Sequence, residues 1–163
     1  MKRHIVMLGG GFGGVKCAQT LRRGLPRDSA ELVLFNSENH LVFSPLLDEV
    51  VGSSLNPMDV IVPLRQLLPR VFCRTEEVQN IDLAASQIQY ESEDGQLCRM
   101  HYDHLVIACG NVTNLNVVPG MADHALPLKT VGAAAALRSR HLLMAPGPDG
   151  KTVARRQRRV PRR

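Results

Sequence analysis

A glycine-rich run lies near the N-terminus of this chain, within the stretch MKRHIVMLGGGFGGVKCAQTLRRG. The apolar run at residues 4–8 precedes these glycines and is typical of a buried strand. Apolar residues then recur at helical spacing from Val15 to Leu21, and Gly24 indicates where that helix ends. A second apolar strand is predicted at residues 31–35. The glycines therefore lie in a strand, turn, helix and strand unit, whereas a flexible linker needs no such flanking elements.

The spacing of three glycines indicates a nucleotide-binding turn. Gly9, Gly11 and Gly14 form the pattern Gly-x-Gly-x-x-Gly between a strand and a helix, the context in which this pattern binds a dinucleotide. Gly9 permits the tight turn, Gly11 lets the backbone approach a pyrophosphate, and Gly14 lets helix and strand pack closely. N–H groups at the helix start then face the phosphates, aided by about half a positive charge from the helix dipole. A purely structural turn is the alternative; the candidate cofactor-binding residues of this loop are Gly9, Gly11, Phe12, Gly13 and Gly14.

The residue after the second strand departs from the dinucleotide-binding pattern. That pattern places an acid about 20 residues after the glycines to hold ribose hydroxyls, whereas Asn36 stands there in this chain. Asparagine still accepts a hydrogen bond, at a loss of about 1 kcal/mol relative to a charged acceptor. Glu38 is a candidate replacement, and a surface glutamate without a role is the alternative. No Lys or Arg lies between Asn36 and Arg65, which disfavours a 2′-phosphate; the motif itself does not separate FAD from NAD, because both contain ADP.

The middle of the chain predicts a small second sheet. Residues 37–70 show no regular period and are predicted to be irregular and partly helical. Partial alternation over residues 71–101, with a turn at Glu93–Gly95, predicts a small antiparallel meander.

The rest of the chain predicts one more strand and a last helix. The apolar run at residues 104–108 lacks alternation, so we expect a strand buried on both faces. Thr130 is a candidate cap for a helix over residues 131–144. The predicted fold is α/β: a Rossmann-like domain over residues 1–144, with a parallel sheet, flanking helices and the meander, followed by a tail at residues 145–163.

The net charge of +5 arises in that tail. Residues 151–163, KTVARRQRRVPRR, carry seven cations and no acid, and the rest of the chain holds 13 basic and 15 acidic residues. We predict a basic, disordered tail rich in Pro and Arg. Three interpretations stay open: an arm that binds phosphate groups, a solvated tail, and an out-of-frame extension, since GC-rich DNA read in a wrong frame tends to encode Arg and Pro.

Composition and spacing disfavour several functional classes. Trp is absent and aromatic residues make up 4%, which argues against a stacking platform for single-stranded nucleic acid. No apolar run reaches the roughly 18 residues of a membrane span, and the first is too short for a signal peptide; we expect a cytoplasmic protein without a nucleic-acid partner.

The four cysteines form neither a CxxC pair nor a zinc spacing, which predicts free thiols. His101 and His104 point to opposite faces of a predicted strand, so we assign no metal ligand, and no catalytic residue either.

A family resemblance rests on three stretches: HIVMLGGGFGGVKCAQTL, LFNSENHLVFSPLLDEVVGSSLNP and YDHLVIACG. Together they resemble the N-terminal, FAD-binding part of type II NADH dehydrogenases, which are FAD-dependent pyridine nucleotide oxidoreductases. PLKT followed by an alanine-rich helix also fits, so the resemblance covers roughly residues 3–144. It implies FAD as the cofactor. In the intact family, NADH gives a hydride to the flavin, which then reduces a quinone.

The resemblance also implies roles for single residues. The glycine loop would hold the FAD pyrophosphate, and Asn36 would face the adenine ribose. Val78 would meet the adenine through its backbone. Ser44, Pro45 and Leu46 would lie near the isoalloxazine ring.

The resemblance further implies that the stretch Ala108, Cys109 and Gly110 would close over the cofactor. Cys109 replaces the family's usual threonine, and a thiol is a weaker hydrogen-bond donor than a hydroxyl. The related disulfide reductases carry a paired-cysteine motif near the flavin; this chain has none, so Cys109 is not assigned a redox role.

The family's second glycine motif, which binds the nicotinamide cofactor, has no match in this chain. We therefore expect the FAD-binding portion of a truncated NADH:quinone oxidoreductase-like flavoprotein that does not oxidise NADH by itself. Its expected partners are FAD and a missing or separate nicotinamide-binding half. Quinone and membrane contacts, at the inner membrane, belong to full-length relatives. A stand-alone nucleotide- or flavin-binding module without catalysis is the alternative.

Overall fold

The computed structural model describes the backbone of residues 2–144 and the side chains as far as Arg140. The elements that open the chain are strand β1 (Arg3–Leu8), helix α1 (Phe12–Gly24) and strand β2 (Ala30–Phe35). This is the strand, turn, helix and strand order that the glycine pattern predicts. The predicted tail at residues 145–163 lies outside the described residues.

A four-stranded parallel sheet forms the centre of the fold. Strands β1 and β2 are flanked by β5 (Phe72–Arg74) and β9 (His104–Ile107), in the order β5-β2-β1-β9. The predicted Rossmann-like sheet is thus confirmed, and the carboxyl ends of all four strands meet at one edge. The sequence predicts a meander for all of residues 71–101; this is wrong for β5, whose three residues are too few to show a period.

Strand β9 lies at one side of this sheet and has β1 as its neighbour. The expectation that this strand is buried on both faces is wrong. Leu105 and Val106 are half-buried, and Ile107 is 62% exposed. An apolar run without alternation does not distinguish a central strand from an edge strand, because the difference depends on the neighbouring strands.

Three antiparallel strands form the predicted meander: β6 (Val78–Asp82), β7 (Gln87–Glu91) and β8 (Leu97–His101). The predicted turn between β7 and β8 is closed by the Gly95 N–H, which donates to the Ser92 carbonyl at 2.9 Å. The meander is therefore confirmed for residues 78–101.

The parallel sheet is covered on both faces, as parallel sheets generally are. Alternate residues of β1 enter two apolar clusters. The cluster on the α1 face includes Ile5, Met7, Val15, Ala18, Leu32 and Leu34. The cluster on the meander face includes Val6, Leu8, Val33, Phe35, Ile88 and Tyr90. The sheet is thus held between a helix and a second sheet.

A two-stranded sheet lies in the segment predicted as irregular. Strand β3 (His40–Val42) pairs antiparallel with β4 (Ile61–Pro63), and helix α3 (Leu64–Leu67) follows directly. Three-residue strands leave no periodic signal, which is why the sequence does not reveal them.

The chain divides into two compact units. The unit that contains the parallel sheet holds residues 1–42 and 61–112. The other holds residues 43–60 and the described chain from Thr113 onward. Its elements are the 3-10 helices Ser44–Leu46 and Pro57–Val60, α2 (Leu47–Val51), α4 (Met121–His124) and α5 (Val131–Met144).

Within the second unit, α2 packs against α5. The Thr130 hydroxyl accepts the Ala133 N–H at 3.1 Å, which confirms Thr130 as the cap of α5. None of the helices described in either unit is long and apolar enough to cross a membrane.

Candidate cofactor-binding groove

The turn between β1 and α1 requires glycine at two positions. Gly9 has a φ of +102°, which L-residues with a side chain rarely adopt, and its N–H donates to the Phe35 carbonyl at 2.8 Å. A Cβ atom at Gly9 would collide with the Ala108 carbonyl, and one at Gly14 would collide with the Gly9 carbonyl oxygen. The turn and the close packing of α1 on β1 therefore both depend on the absent side chains.

Gly11 differs, because a Cβ atom there would meet nothing within 4 Å. It is the N-cap of α1, in the extended conformation. Since Gly11 has no side chain, it cannot cap the first turn of α1, and no residue of that turn is acidic. The start of α1 thus combines open space, backbone N–H donors and the positive end of the helix dipole. These are the requirements of a phosphate site.

The other two loop candidates border this start. A Cβ atom at Gly13 would lie 4.0 Å from the Ala108 side chain, which is an ordinary contact. Phe12 is 48% exposed. At the opposite end of α1, Arg22 and Arg23 lie in the last turn, where cations stabilise the negative end of the dipole.

Asn36 fixes the glycine loop at the end of β2. Its Oδ1 accepts the Gly10 N–H at 2.7 Å, and its Nδ2 donates to the Glu38 carbonyl at 2.7 Å. A Cβ atom at Gly10 would lie 2.7 Å from the Asn36 side chain. Gly10 is thus a functional candidate that the Gly-x-Gly-x-x-Gly pattern does not include. The backbone carbonyl of Glu38 takes part in this arrangement as an acceptor, and Glu38 is an exposed residue.

A groove of about 620 Å³ opens at the carboxyl ends of β1 and β2. In open α/β sheets, ligands bind at this edge, and the volume lies in the range of small-molecule sites. The groove is lined by Leu8, Gly9, Phe35, Asn36, Ser37, Glu76, Glu77, Val78, Gln79, Asn80, Ile81 and Cys109. Four predicted cofactor-binding residues from distant parts of the sequence thus meet here: Gly9, Asn36, Val78 and Cys109.

The predicted stretch after β9 lies beside the glycine loop. The Ala108 N–H donates to the Leu8 carbonyl at 2.7 Å, and the Cys109 Sγ lies 3.8 Å from the same oxygen. Gly110 follows with a φ of +68°. Pro45 lies in the 3-10 helix of the second unit; its predicted place near the flavin ring stays a prediction.

An ion pair at the end of β5 has no signal in the sequence. Arg74 Nη1 donates to Glu76 Oε1 at 2.7 Å. The Arg74 guanidinium carbon also lies 5.9 Å from the centre of the Phe35 ring and 5.2 Å from that of Tyr90. The Asn36 N–H donates to the Arg74 carbonyl at 3.0 Å. An arginine therefore does lie next to Asn36 in space, although none is near it in sequence.

Two ionisable groups of the sheet unit have shifted pKa values. Burial raises the pKa of the Cys73 thiol, an effect that the charge of Arg65 partly offsets. The His4 N–H, which donates to the Asp103 carboxylate at 2.6 Å, lowers the pKa of Asp103. The Asp103 N–H in turn donates to the His4 carbonyl at 2.8 Å, so the two residues tie the start of β1 to the turn before β9.

The described side chains, residues 2–140, include no group of three His, Cys, Asp or Glu residues that could hold a metal ion. The four cysteines are free thiols.

Comparison with known proteins decides the family. Residues 3–154 match the family described as pyridine nucleotide-disulphide oxidoreductase. This chain belongs to that family. The predicted resemblance to the N-terminal part of a pyridine nucleotide oxidoreductase of the NADH dehydrogenase type is thus confirmed.

Curated relatives within this oxidoreductase family act on quinones, as their names state. The chain is 32% identical over 143 residues to demethylphylloquinone reductase NdbB of Synechocystis, covering 84% of the chain and 35% of the relative. It is 29% identical to the type II NADH:quinone oxidoreductase of Staphylococcus aureus, covering 86% of the chain and 34% of the relative. The chain therefore spans about a third of the length of these relatives.

A solved structure shows the same fold. NDH2 of Plasmodium falciparum, in complex with NADH, superposes with a TM-score of 0.75 at 22% identity, covering 87% of this chain and 29% of the other. This likeness supports the Rossmann-like architecture of the family member described here.

Proposed function

We propose that this chain binds FAD and forms the flavin-binding portion of an NADH:quinone oxidoreductase-like flavoprotein. The observation that carries the proposal is the uncapped start of α1, with open space over Gly11, beside a groove lined by Asn36 and Val78. An anionic pyrophosphate fits the first feature, and an adenosine fits the second.

The residues of the groove fit an FAD molecule in a defined direction. Backbone N–H groups at the start of α1, at Gly11, Gly13 and Gly14, would bind the pyrophosphate. Asn36 would face the adenosine, whose adenine would meet the Val78 backbone. When bound, the flavin supplies the hydride-accepting chemistry. The protein's own part is to bind and orient the cofactor, so no catalytic side chain is needed.

The resemblance to type II NADH dehydrogenases implies a further contact. Ala108, Cys109 and Gly110 would close over the cofactor. NADH and quinone are the substrates proposed for a complete assembly, in which a nicotinamide-binding half completes the site. Four free thiols suit a reducing compartment, and we propose the cytoplasm.

A titration of the purified chain, residues 1–163, with FAD tests this function. We expect saturable FAD binding and much weaker binding of FMN, which lacks the AMP half of FAD and therefore its pyrophosphate. In the presence of FAD, NADH and a soluble quinone, we expect no turnover near the value of about 10 per second that is typical of enzymes. Failure to bind FAD would reject the proposed function, and turnover near that rate would show that the chain is active by itself.

A further inference from the structure

The end of β2 lacks the carboxylate that usually holds a ribose, and the local structure favours an amide there. The Asn36 Nδ2 donates to the Glu38 carbonyl at 2.7 Å. A carboxylate at this position would place an acceptor against that carbonyl oxygen instead of a donor. A carboxylate that binds a ribose in the groove therefore has to come from another residue.

Glu76 is a carboxylate that the sheet brings into the same groove. Because the Asn36 N–H donates to the Arg74 carbonyl at 3.0 Å, the segment after β5 runs beside Asn36. Glu76 and Glu77 both line the groove. The Glu76 side chain is only 16% exposed, whereas Glu77 is an exposed residue whose carbonyl accepts the N–H of Glu91 in the meander.

Arg74 holds the Glu76 side chain in place. The guanidinium lies against the rings of Phe35 and Tyr90, and it donates to Glu76 Oε1 at 2.7 Å. A carboxylate accepts about four hydrogen bonds, so one bond from Arg74 leaves acceptor capacity for a ligand. The Glu76 carboxylate is thus oriented and still able to bind.

The start of α1 and the groove beside it differ in charge. The start of α1 is positive and suits the pyrophosphate of FAD, while the negative Glu76 suits the ribose, whose two hydroxyls are hydrogen-bond donors. We propose that Glu76, positioned by Arg74, accepts hydrogen bonds from the adenosine ribose of FAD in place of the acid missing at Asn36. This assignment rests on the proposed binding of FAD.

Substitution of the two neighbouring glutamates tests the assignment, because Glu76→Gln and Glu77→Gln remove the same charge from the same groove. Simple electrostatics predicts that either change strengthens binding of the anionic FAD. A direct ribose contact predicts the opposite for Glu76→Gln alone, a loss of about tenfold in FAD affinity, the difference between a charged and a neutral acceptor. Glutamine still accepts the bond from Arg74, and unfolding curves check that both variants fold.

Ligand variants locate the contact. ADP and 2′,3′-dideoxy-ADP are measured as competitors of FAD; Glu76→Gln should weaken the binding of ADP and should not weaken the binding of the dideoxy compound. Equal FAD affinities of wild type and Glu76→Gln, or equal losses in both variants, would overturn the role of Glu76. A Glu76→Gln loss that persists with the dideoxy ligand would overturn the hydroxyl contact. A wild-type chain that binds no FAD would instead reject the proposed function itself.

Discussion

Gly11→Ala separates cofactor binding from folding, because a Cβ atom at this position meets nothing within 4 Å. Gly11 is in the extended conformation, which alanine adopts without strain. As an N-cap, alanine is less favourable than glycine, and we expect the free energy of unfolding to fall by about 1 kcal/mol or less. The protein should therefore stay folded with an added methyl group in the space assigned to the pyrophosphate.

The expected loss of FAD affinity follows from the phosphate contacts. A charge-assisted hydrogen bond has a donor–acceptor distance of about 2.7–2.9 Å, whereas a carbon atom at Gly11 holds a neighbouring atom at roughly 3.5 Å or more. Displacing one phosphate from one N–H group costs about 1.5–3 kcal/mol, which is about 10- to 150-fold in Kd.

The assay is a fluorescence titration of FAD with wild type, Gly11→Ala and Gly24→Ala. Gly24 ends the same helix and also has nothing within 4 Å of an added Cβ atom, so it is the matched control. We expect Gly24→Ala to bind FAD as the wild type does. A folded Gly11→Ala variant with wild-type FAD affinity would refute the assignment of this loop to the pyrophosphate.

Three further substitutions test the groove and the sheet. Gly14→Ala should lower the free energy of unfolding by about 1–3 kcal/mol, since its Cβ atom collides with the Gly9 carbonyl; unchanged urea unfolding would contradict this packing. Asn36→Asp should lower the free energy of unfolding by about 1 kcal/mol and should not tighten FAD binding. A stable variant that binds FAD more tightly would show that the amide is not needed. The lowered pKa of Asp103 means that its charge stabilises the fold above the ordinary aspartate pKa and less so as pH falls. The melting temperature of Asp103→Asn should therefore lie below that of the wild type at pH 7, and this difference should shrink below about pH 4; a constant difference would contradict it.

The sequence predicts those helices and strands that carry a long apolar run or a regular spacing of apolar residues. Strand β1, helix α1 and helix α5 each carry a run or a period long enough to read, and Thr130 marks the start of α5. The meander is predicted because alternation and a turn at Gly95 coincide. By contrast, β3, β4 and β5 have three residues each, and their pairing depends on distant strands.

The sequence predicts only those residues of the groove that belong to a motif. Gly9 and Asn36 stand at fixed spacing from one another, so a pattern reveals them. Arg74 and Glu76 reach Asn36 through the pairing of β2 with β5, in which Phe35 aligns with Arg74. No local pattern in the sequence indicates that Arg74 and Glu76 lie beside Asn36. Gly10 is missed for a similar reason, since its need for glycine comes from the Asn36 side chain.

A backbone amide NMR spectrum of the 18.0 kDa chain, recorded during titration with FAD, tests directly whether the glycine loop binds the cofactor. We expect the amide signals of Gly11, Gly13 and Gly14 to shift and saturate with FAD, and the signal of Gly95, in the turn between β7 and β8, to stay in place. Saturable FAD binding that leaves the three loop glycines unmoved would contradict this expectation, and so would a spectrum that FAD does not change.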